Sequence, residues 1–335
     1  MQRMGMCFLD RPDPRTQARL AAKCESLGYE SAWTCETRTA RDAISVLGAM
    51  ALATKTIKLG PGVVNSWTRP ASLMAVTFAT LDEIAPDRMI CGVGAYWDPL
   101  AWKQGIERSK PIKQMREYVE VLKRLLNMET VTFEGELVQV RDLRLELGHG
   151  VERSPRRVPV YIGSTGLQMQ TLTGEIADGA LLNAFTSLEH QANSLERMAV
   201  GAKRAGRELD DLDVPQLVVT AMDNDDPERA HQVAHYMATM YLGQQPHVAK
   251  ASGVSEELIS SVNEAMGGWP PRAGGIENAM PLVPRELVET LTVSGTAEEC
   301  RKKAEKYATR SNVYPVILPL TDNYDEIAEA FAPSA

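Results

Sequence analysis

The stretch Ile57–Gly94, IKLGPGVVNSWTRPASLMAVTFATLDEIAPDRMICGVG, decides the fold. A short apolar strand runs into Gly60-Pro61-Gly62. Val63-Val64-Asn65, a Thr-Arg-Pro turn, an apolar-faced helix and a second strand ending in Gly92-Val93-Gly94 follow. Glycine at the C-terminal end of a buried strand marks a bulge, or a place where another group must approach the backbone closely. In parallel α/β enzymes the chemistry sits at those same strand ends. Read alone, Gly-Pro-Gly fits a plain strand-to-helix turn equally well.

The same unit recurs along the chain. Strands are expected at Met4–Leu9, Ser31–Thr34, Ile57–Val64, Met89–Val93, Val158–Ile162, Ala180–Asn183, Val214–Ala221 and Pro315–Leu320. An amphipathic helix follows each. Eight strand–helix units in a chain of 335 residues predict a closed (β/α)8 TIM barrel of the α/β class. An open doubly wound sheet would need a Gly-rich phosphate turn after the first strand, and Phe8–Gln17 offers none. Two regions break the rhythm, at about 130–157 and 242–293. The first holds a period-two hairpin, Thr130–Asp142, and a basic stretch, Gly148–Arg157, expected to be an exposed loop. The second, rich in turn residues, is expected to be a partly helical excursion. Thr296 and Glu299 form a capping-box pair before the last strand.

Composition narrows the function. Net charge is −8, against the basic face that nucleic acid requires. No apolar run approaches the ~20 residues of a membrane span, and the N-terminal apolar stretch is too short for a secretion signal. Five scattered cysteines without a CxxC pair suit a reduced, cytoplasmic protein. His231 and His235 are four residues apart, but no third ligand accompanies them, so no metal is expected. Glu117, Glu120, Lys123 and Arg124 read as a solvated helix face.

Three segments could carry chemistry. Gly163-Ser164-Thr165-Gly166 joins a strand to a helix, and free N–H groups with two hydroxyls at a helix start suit a phosphate, although Ser164 or Thr165 also serves as a plain N-cap. Cys35-Glu36-Thr37-Arg38 follows the second strand, with Glu36 either free to act or paired with Arg38, Arg41 or Arg69. Gly94-Ala95-Tyr96-Trp97 follows the fourth strand, and Trp67, Tyr96 and Trp97 could wall the barrel mouth around a small-molecule substrate.

Gly60–Asn65, Thr68-Arg69, Phe78–Glu83, Arg88–Ala95 and the run Val158–Asn183 resemble the bacterial luciferase-like family of flavin and deazaflavin oxidoreductases. Their wording is most similar to the coenzyme F420-dependent methylene-tetrahydromethanopterin reductase type. The resemblance implies one barrel domain over 1–335, an oxidoreductase that moves a hydride between F420 and an unidentified small organic substrate, acting as a homodimer. It implies cofactor contacts at Cys35, Gly62, Val63, Asn65, Gly94, Ala95, Gly163, Ser164, Thr165, Gly166 and Asn183, and a non-prolyl cis peptide at Gly62–Val63. The catalytic position falls at Glu36-Thr37, where many relatives have Asp-His; a catalytic Glu of some relatives is replaced by Ala95. Arg38, Arg41, Arg69 and Lys103 are expected to meet the anionic tail of F420. The alternatives are an FMN-dependent luciferase-like monooxygenase and a non-catalytic cofactor-binding barrel.

Overall fold

The computed structural model describes residues 3–148 and 153–333; part of the expected basic loop, residues 149–152, lies outside them. Nine parallel strands form a nearly closed barrel. They are β1 (Gly5–Phe8), β2 (Ser31–Thr34), β3 (Lys58–Pro61), β4 (Val64–Asn65), β5 (Cys91–Gly94), β8 (Val160–Ser164), β9 (Gly179–Leu182), β10 (Val214–Met222) and β12 (Val313–Pro319). Their order is β3-β2-β1-β12-β10-β9-β8-β5-β4. The ring closes where Leu59 bridges to Met89 and β4 pairs with β5. β3 and β4 are two halves of one stave, so the ring has the eight staves expected. β11 (Val293–Gly295) adds a short strand beside β10, outside the ring.

The expected third strand, Ile57–Val64, is broken by a cis peptide at Gly62–Val63. Neighbouring glycines fit this break. A Cβ on Gly92 would lie 2.1 Å from the Pro61 carbonyl oxygen, and one on Gly94 would lie 2.7 Å from Val63 Cγ2. One on Gly163 would meet the same methyl at 3.0 Å. The group that approaches the glycine backbones is therefore the chain's own Val63 and Pro61.

Two clamps hold this stave. Arg88, only 8% exposed, donates to the carbonyls of Ala51, Thr54 and Ile57 and to the Thr54 hydroxyl. It thereby ties the end of the Ala43–Ala53 helix to the start of β3. Glu25 accepts from the N–H groups of Lys55, Thr56 and Ile57. Burial pushes the Glu25 carboxyl up, but these donors outweigh it and hold the group down at about 2.

The N-terminal end of the barrel is plugged. Arg3 binds Glu30 through two bonds of 2.6 and 2.7 Å and Asp213 at 2.6 Å, and lies 4.1 Å above the Tyr314 ring. Tyr161 donates to the other Asp213 oxygen at 2.6 Å. Above the plug, Trp33, Ile90, Tyr161, Leu181, Val219 and Val316 pack in one buried cluster.

Both interruptions take the expected form in part. β6 (Val131–Glu134) and β7 (Gln139–Leu143) make the antiparallel hairpin. Its turn is caught by Glu117, which accepts from the N–H groups of Glu136, Leu137 and Val138. Glu117 is 7% exposed, so it is no solvated residue, because three unpaired turn donors demand an acceptor there. The excursion forms helices Pro246–Ala251, Glu256–Met266, Gly275–Ala279 and Arg285–Leu291. Thr296 and Glu299 complete a reciprocal capping box on the helix Ala297–Ala304.

Gly92→Ala should destabilise the fold by about 3 kcal/mol, since the added methyl collides with backbone rather than a side chain that can turn away; a urea midpoint equal to that of the parent would contradict this packing. Glu25 contributes stability at pH above its ordinary value of 4.5 and loses it as pH falls through about 2. Glu25→Gln should therefore be less stable than the parent at neutral pH, with the two urea midpoints converging as pH approaches 2.

Candidate active site

All eight staves contribute to one cavity of about 1480 Å³ at their C-terminal ends. Leu9, Cys35, Gly62 to Asn65, Gly94, Gly163 to Gly166, Asn183, Leu217 and Leu318 mark its circuit. The eleven residues from Cys35 to Asn183 that the resemblance assigns to cofactor contact all line it.

The loop after β8 has the composition of an anion cradle. Ser164 is 2% exposed, and its hydroxyl has no hydrogen-bond partner among the described residues. Gly166 stands at the N-cap of the Leu167–Ile176 helix without a side-chain cap. The first-turn N–H groups of that helix have no acceptor within it. A Cβ on Gly166 would meet nothing within 4 Å. Buried hydroxyl, open N–H groups and free space fit a phosphate.

The segment after β2 is held by charge. Both Glu36 oxygens accept from Arg69, each at 2.9 Å, and Arg69 also contacts Asp42. Tyr118 fixes the Arg69 carbonyl at 2.9 Å. Burial alone would lower the Arg69 pKa, but the carboxylates of Glu36 and Asp42 raise it overall. Of the partners open to Glu36, the structure selects Arg69. Thr37 lines the cavity, and its hydroxyl is buried and without a partner among the described residues.

Other expectations divide. Arg38, Arg41 and Arg69 line the cavity, whereas Lys103 does not. Arg69 is neutralised by its carboxylates, while Arg41 donates to the Asp10 carbonyl at 3.2 Å and has no carboxylate partner among the described residues. Tyr96 and Trp97 line the mouth. Trp67 does not: its backbone and that of Thr68 turn back onto the Asn65 side-chain oxygen, which carries the indole away from the opening. Asn183 donates at 2.7 Å to the Tyr241 hydroxyl.

Several lining residues escape the sequence reading. Arg108 donates to the Ala95 carbonyl at 2.6 Å and to Asp98 at 2.5 Å, pinning the loop after β5. Phe185 and Tyr241 stack with ring centroids 4.4 Å apart. Burial pushes the Tyr241 phenol well up and keeps it protonated. His247 lines the rim, and loss of solvent together with Arg108 lowers its pKa. Met237, Met240, Tyr241 and Gln244 share one face of the Pro227–Gln244 helix; their three- and four-residue spacing was the available signal. Of the partly helical excursion at 242–293, Gln244, Gln245 and His247 reach the cavity. Its later helices pack on the outside of the Pro227–Gln244 helix and bury Val262, Met266, Ile276 and Ala279.

A parallel eight-stave barrel with such a cavity at its C-terminal face defines a (β/α)8-barrel enzyme. The match to a known family is direct: residues 3–311 fit the luciferase-like monooxygenase family, and the chain belongs to it. The 5,10-methylenetetrahydromethanopterin reductase of Archaeoglobus fulgidus is 30% identical over 282 residues, covering 82% of this chain and 80% of its own. The F420-dependent glucose-6-phosphate dehydrogenase of Nakamurella multipartita is 29% identical over 245 residues, covering 68% and 70%. The solved coenzyme F420 dependent tetrahydromethanopterin reductase from Methanopyrus kandleri superposes with a TM-score of 0.83 at 26% identity, covering 99% of this chain and 97% of that one.

Gly166→Val should leave thermal stability within about 0.5 kcal/mol of the parent, because its side chain enters open space. It should weaken binding of a phosphate-bearing cofactor at least about tenfold, or roughly 1.4 kcal/mol. Unchanged affinity in a fluorescence titration would remove the phosphate from this loop.

Proposed function

We propose that this chain is an F420-dependent oxidoreductase that transfers a hydride between the deazaflavin and a small organic substrate. The observation that carries the reading is the buried Ser164 hydroxyl, unpartnered among the described residues, beside the open Gly166 helix start, in a chain similar to proteins named as F420-dependent. F420, when bound, supplies a carbon centre that gives or accepts the hydride.

The chain's own residues bind, orient and exclude water. Ser164, Thr165 and the N–H groups that follow Gly166 hold the phosphate. Val63 and Gly62 back the ring system, with Asn65, Gly94, Ala95 and Asn183 beside it, and Arg38 and Arg41 meet the anionic tail. Leu217, Leu318, Met237 and Met240 present apolar surface to the substrate, and Tyr96 and Trp97 wall the mouth. Glu36 is taken up by Arg69 and fixes the loop after β2; the unpartnered Thr37 hydroxyl remains to hydrogen-bond a ligand.

A second copy of the chain is the expected partner. Leu52, Leu73, Val76 and Ile84 are exposed apolar side chains on the neighbouring helices Ala43–Ala53 and Ala71–Ile84. The reduced thiols and the absence of any helix, among the described residues, long and apolar enough to cross a membrane support a cytoplasmic site of action.

Titration of the cofactor-free protein with F420 and with FMN, each at two salt concentrations, tests the cofactor. F420 should bind more tightly, with the stronger salt dependence. Tighter FMN binding, or oxygen-consuming turnover with reduced FMN, would assign the chain to the monooxygenase branch. In sedimentation, Leu52→Lys combined with Val76→Lys should shift a dimer towards monomer; a parent that sediments as a monomer would defeat the pairing.

A further inference from the structure

We propose that Cys7 and Cys35 form a peroxide-oxidisable dithiol beneath the cofactor-binding floor, converted reversibly to a disulfide when the cavity is empty and shielded when it is filled. The shielding half of this rests on the F420 reading above; the dithiol half does not.

The geometry sets this pair apart from the other thiols. Cys7 Sγ and Cys35 Sγ are 3.4 Å apart, in contact. Cys7 lies in β1 opposite Trp33 of β2, and Cys35 is the first residue past the end of β2. Alternation along the strands turns both side chains to the barrel interior. Cys35 lines the cavity at 8% exposure, while Cys7 is fully buried behind it. Cys24, Cys91 and Cys300 are buried and line no part of the cavity.

The two sulfurs thus divide the roles of an attacking and a resolving thiol. A small peroxide entering the open cavity meets Cys35 first. Its sulfur takes one peroxide oxygen to become a sulfenic acid, the thiol proton leaves with the other oxygen, and one water forms. Cys7 sulfur then attacks the sulfenic sulfur. The S–S bond forms, the S–O bond breaks, and the departing hydroxide takes the Cys7 proton to give a second water. Two thiols and one peroxide thus yield one disulfide and two waters. Each sulfur is oxidised by one electron and the two peroxide oxygens are reduced. A bond of about 2 Å requires the sulfurs to close by roughly 1.4 Å. Cys35 is the first residue past β2 and its N–H is still bonded to the Phe8 carbonyl at 3.0 Å, so closure requires rotation of both thiol side chains together with a shift of the backbone at Cys35. Burial pushes the Cys7 thiol pKa up, so Cys7 stays protonated and unreactive until a sulfenic acid forms at contact distance.

The pair also sits where a bound cofactor would cover it. Cys35 donates to the Gly62 carbonyl at 3.3 Å. Cys7 Sγ lies 3.7 Å from the position of a Cβ on Gly62. Closing the disulfide draws Cys35 off that carbonyl and reshapes the floor next to Val63. An oxidised protein should therefore bind cofactor less well, and a cofactor-loaded protein should resist oxidation.

The test uses the full-length protein with hydrogen peroxide as the probe. In the cofactor-free protein, two of the five thiols should disappear under native conditions. Non-reducing peptide mapping should show the Cys7 and Cys35 peptides joined, and dithiothreitol should restore both. Cys7→Ser should instead stop at an oxidised Cys35 with no joined peptide, and Cys35→Ser should leave Cys7 untouched. Saturating F420, at about ten times its Kd, should slow the joining about tenfold. Absence of the joined peptide, or over-oxidation of Cys35 with Cys7 still a thiol in the parent, overturns the dithiol site. Joining at an undiminished rate while titration shows F420 bound overturns the shielding. Failure of F420 to bind at all would appear in the titration alone and fall on the proposed function, since the cofactor-free arm contains no F420.

Discussion

The barrel's catalytic end is organised around one steric fact: the Val63 side chain occupies the space where three neighbouring residues have no Cβ. Gly94 and Gly163 leave room for its methyls, and Gly92 leaves room for the Pro61 carbonyl just before it. A methyl on any of the three would push the third stave off its neighbours. Interiors are packed too tightly to absorb such a shift for free. The third stave therefore kinks inward, the ring still closes through Leu59 and Met89, and the kink becomes the floor of the cavity.

Charge is distributed with equal economy around that floor. The bidentate Glu36–Arg69 pair fixes the loop after β2, and the Arg108 bonds fix the loop after β5. The Glu36–Arg69 pair is bidentate and only 18% exposed on each side, unlike the surface ion pairs that contribute little, whereas Asp98 is 71% exposed and the hold of Arg108 rests on the Ala95 carbonyl. They consume cations that a simple count of arginines would assign to a ligand. Arg38 and Arg41 lie at the rim without a carboxylate partner among the described residues, so any steering of an anion falls to them.

The fold was legible because its signals are local. Strand-then-helix alternation, glycines at strand ends and the Thr296–Glu299 capping box are all short-range patterns, and each appears where the sequence places it. The segment Gly163–Gly166, proposed above to hold a phosphate, was legible as a loop for the same reason, being a strand, four small residues and a helix start. What remained hidden is long-range. Glu117 looks like any exposed helix glutamate until a hairpin turn about 20 residues on presents three bare N–H groups. Trp67 belonged to a plausible aromatic wall until the Asn65 side chain drew the backbone into a turn. Arg3 gives no sign in sequence that it meets Asp213, 210 residues away. Tyr241, Met237 and Met240 carried a periodic signal, but a helix face alone does not say whether it covers a core or a cavity.

The Arg3–Glu30–Asp213 plug has a kinetic consequence. With the N-terminal end sealed by three charged groups and two tyrosine rings, the chamber is a cul-de-sac. Everything that enters passes the loops carrying Arg38, Tyr96 and His247, and leaves the same way. Occupants of a dead-end chamber queue: the molecule seated deepest arrives first and departs last. With one doorway among the described residues, the architecture imposes a sequence on arrival and departure.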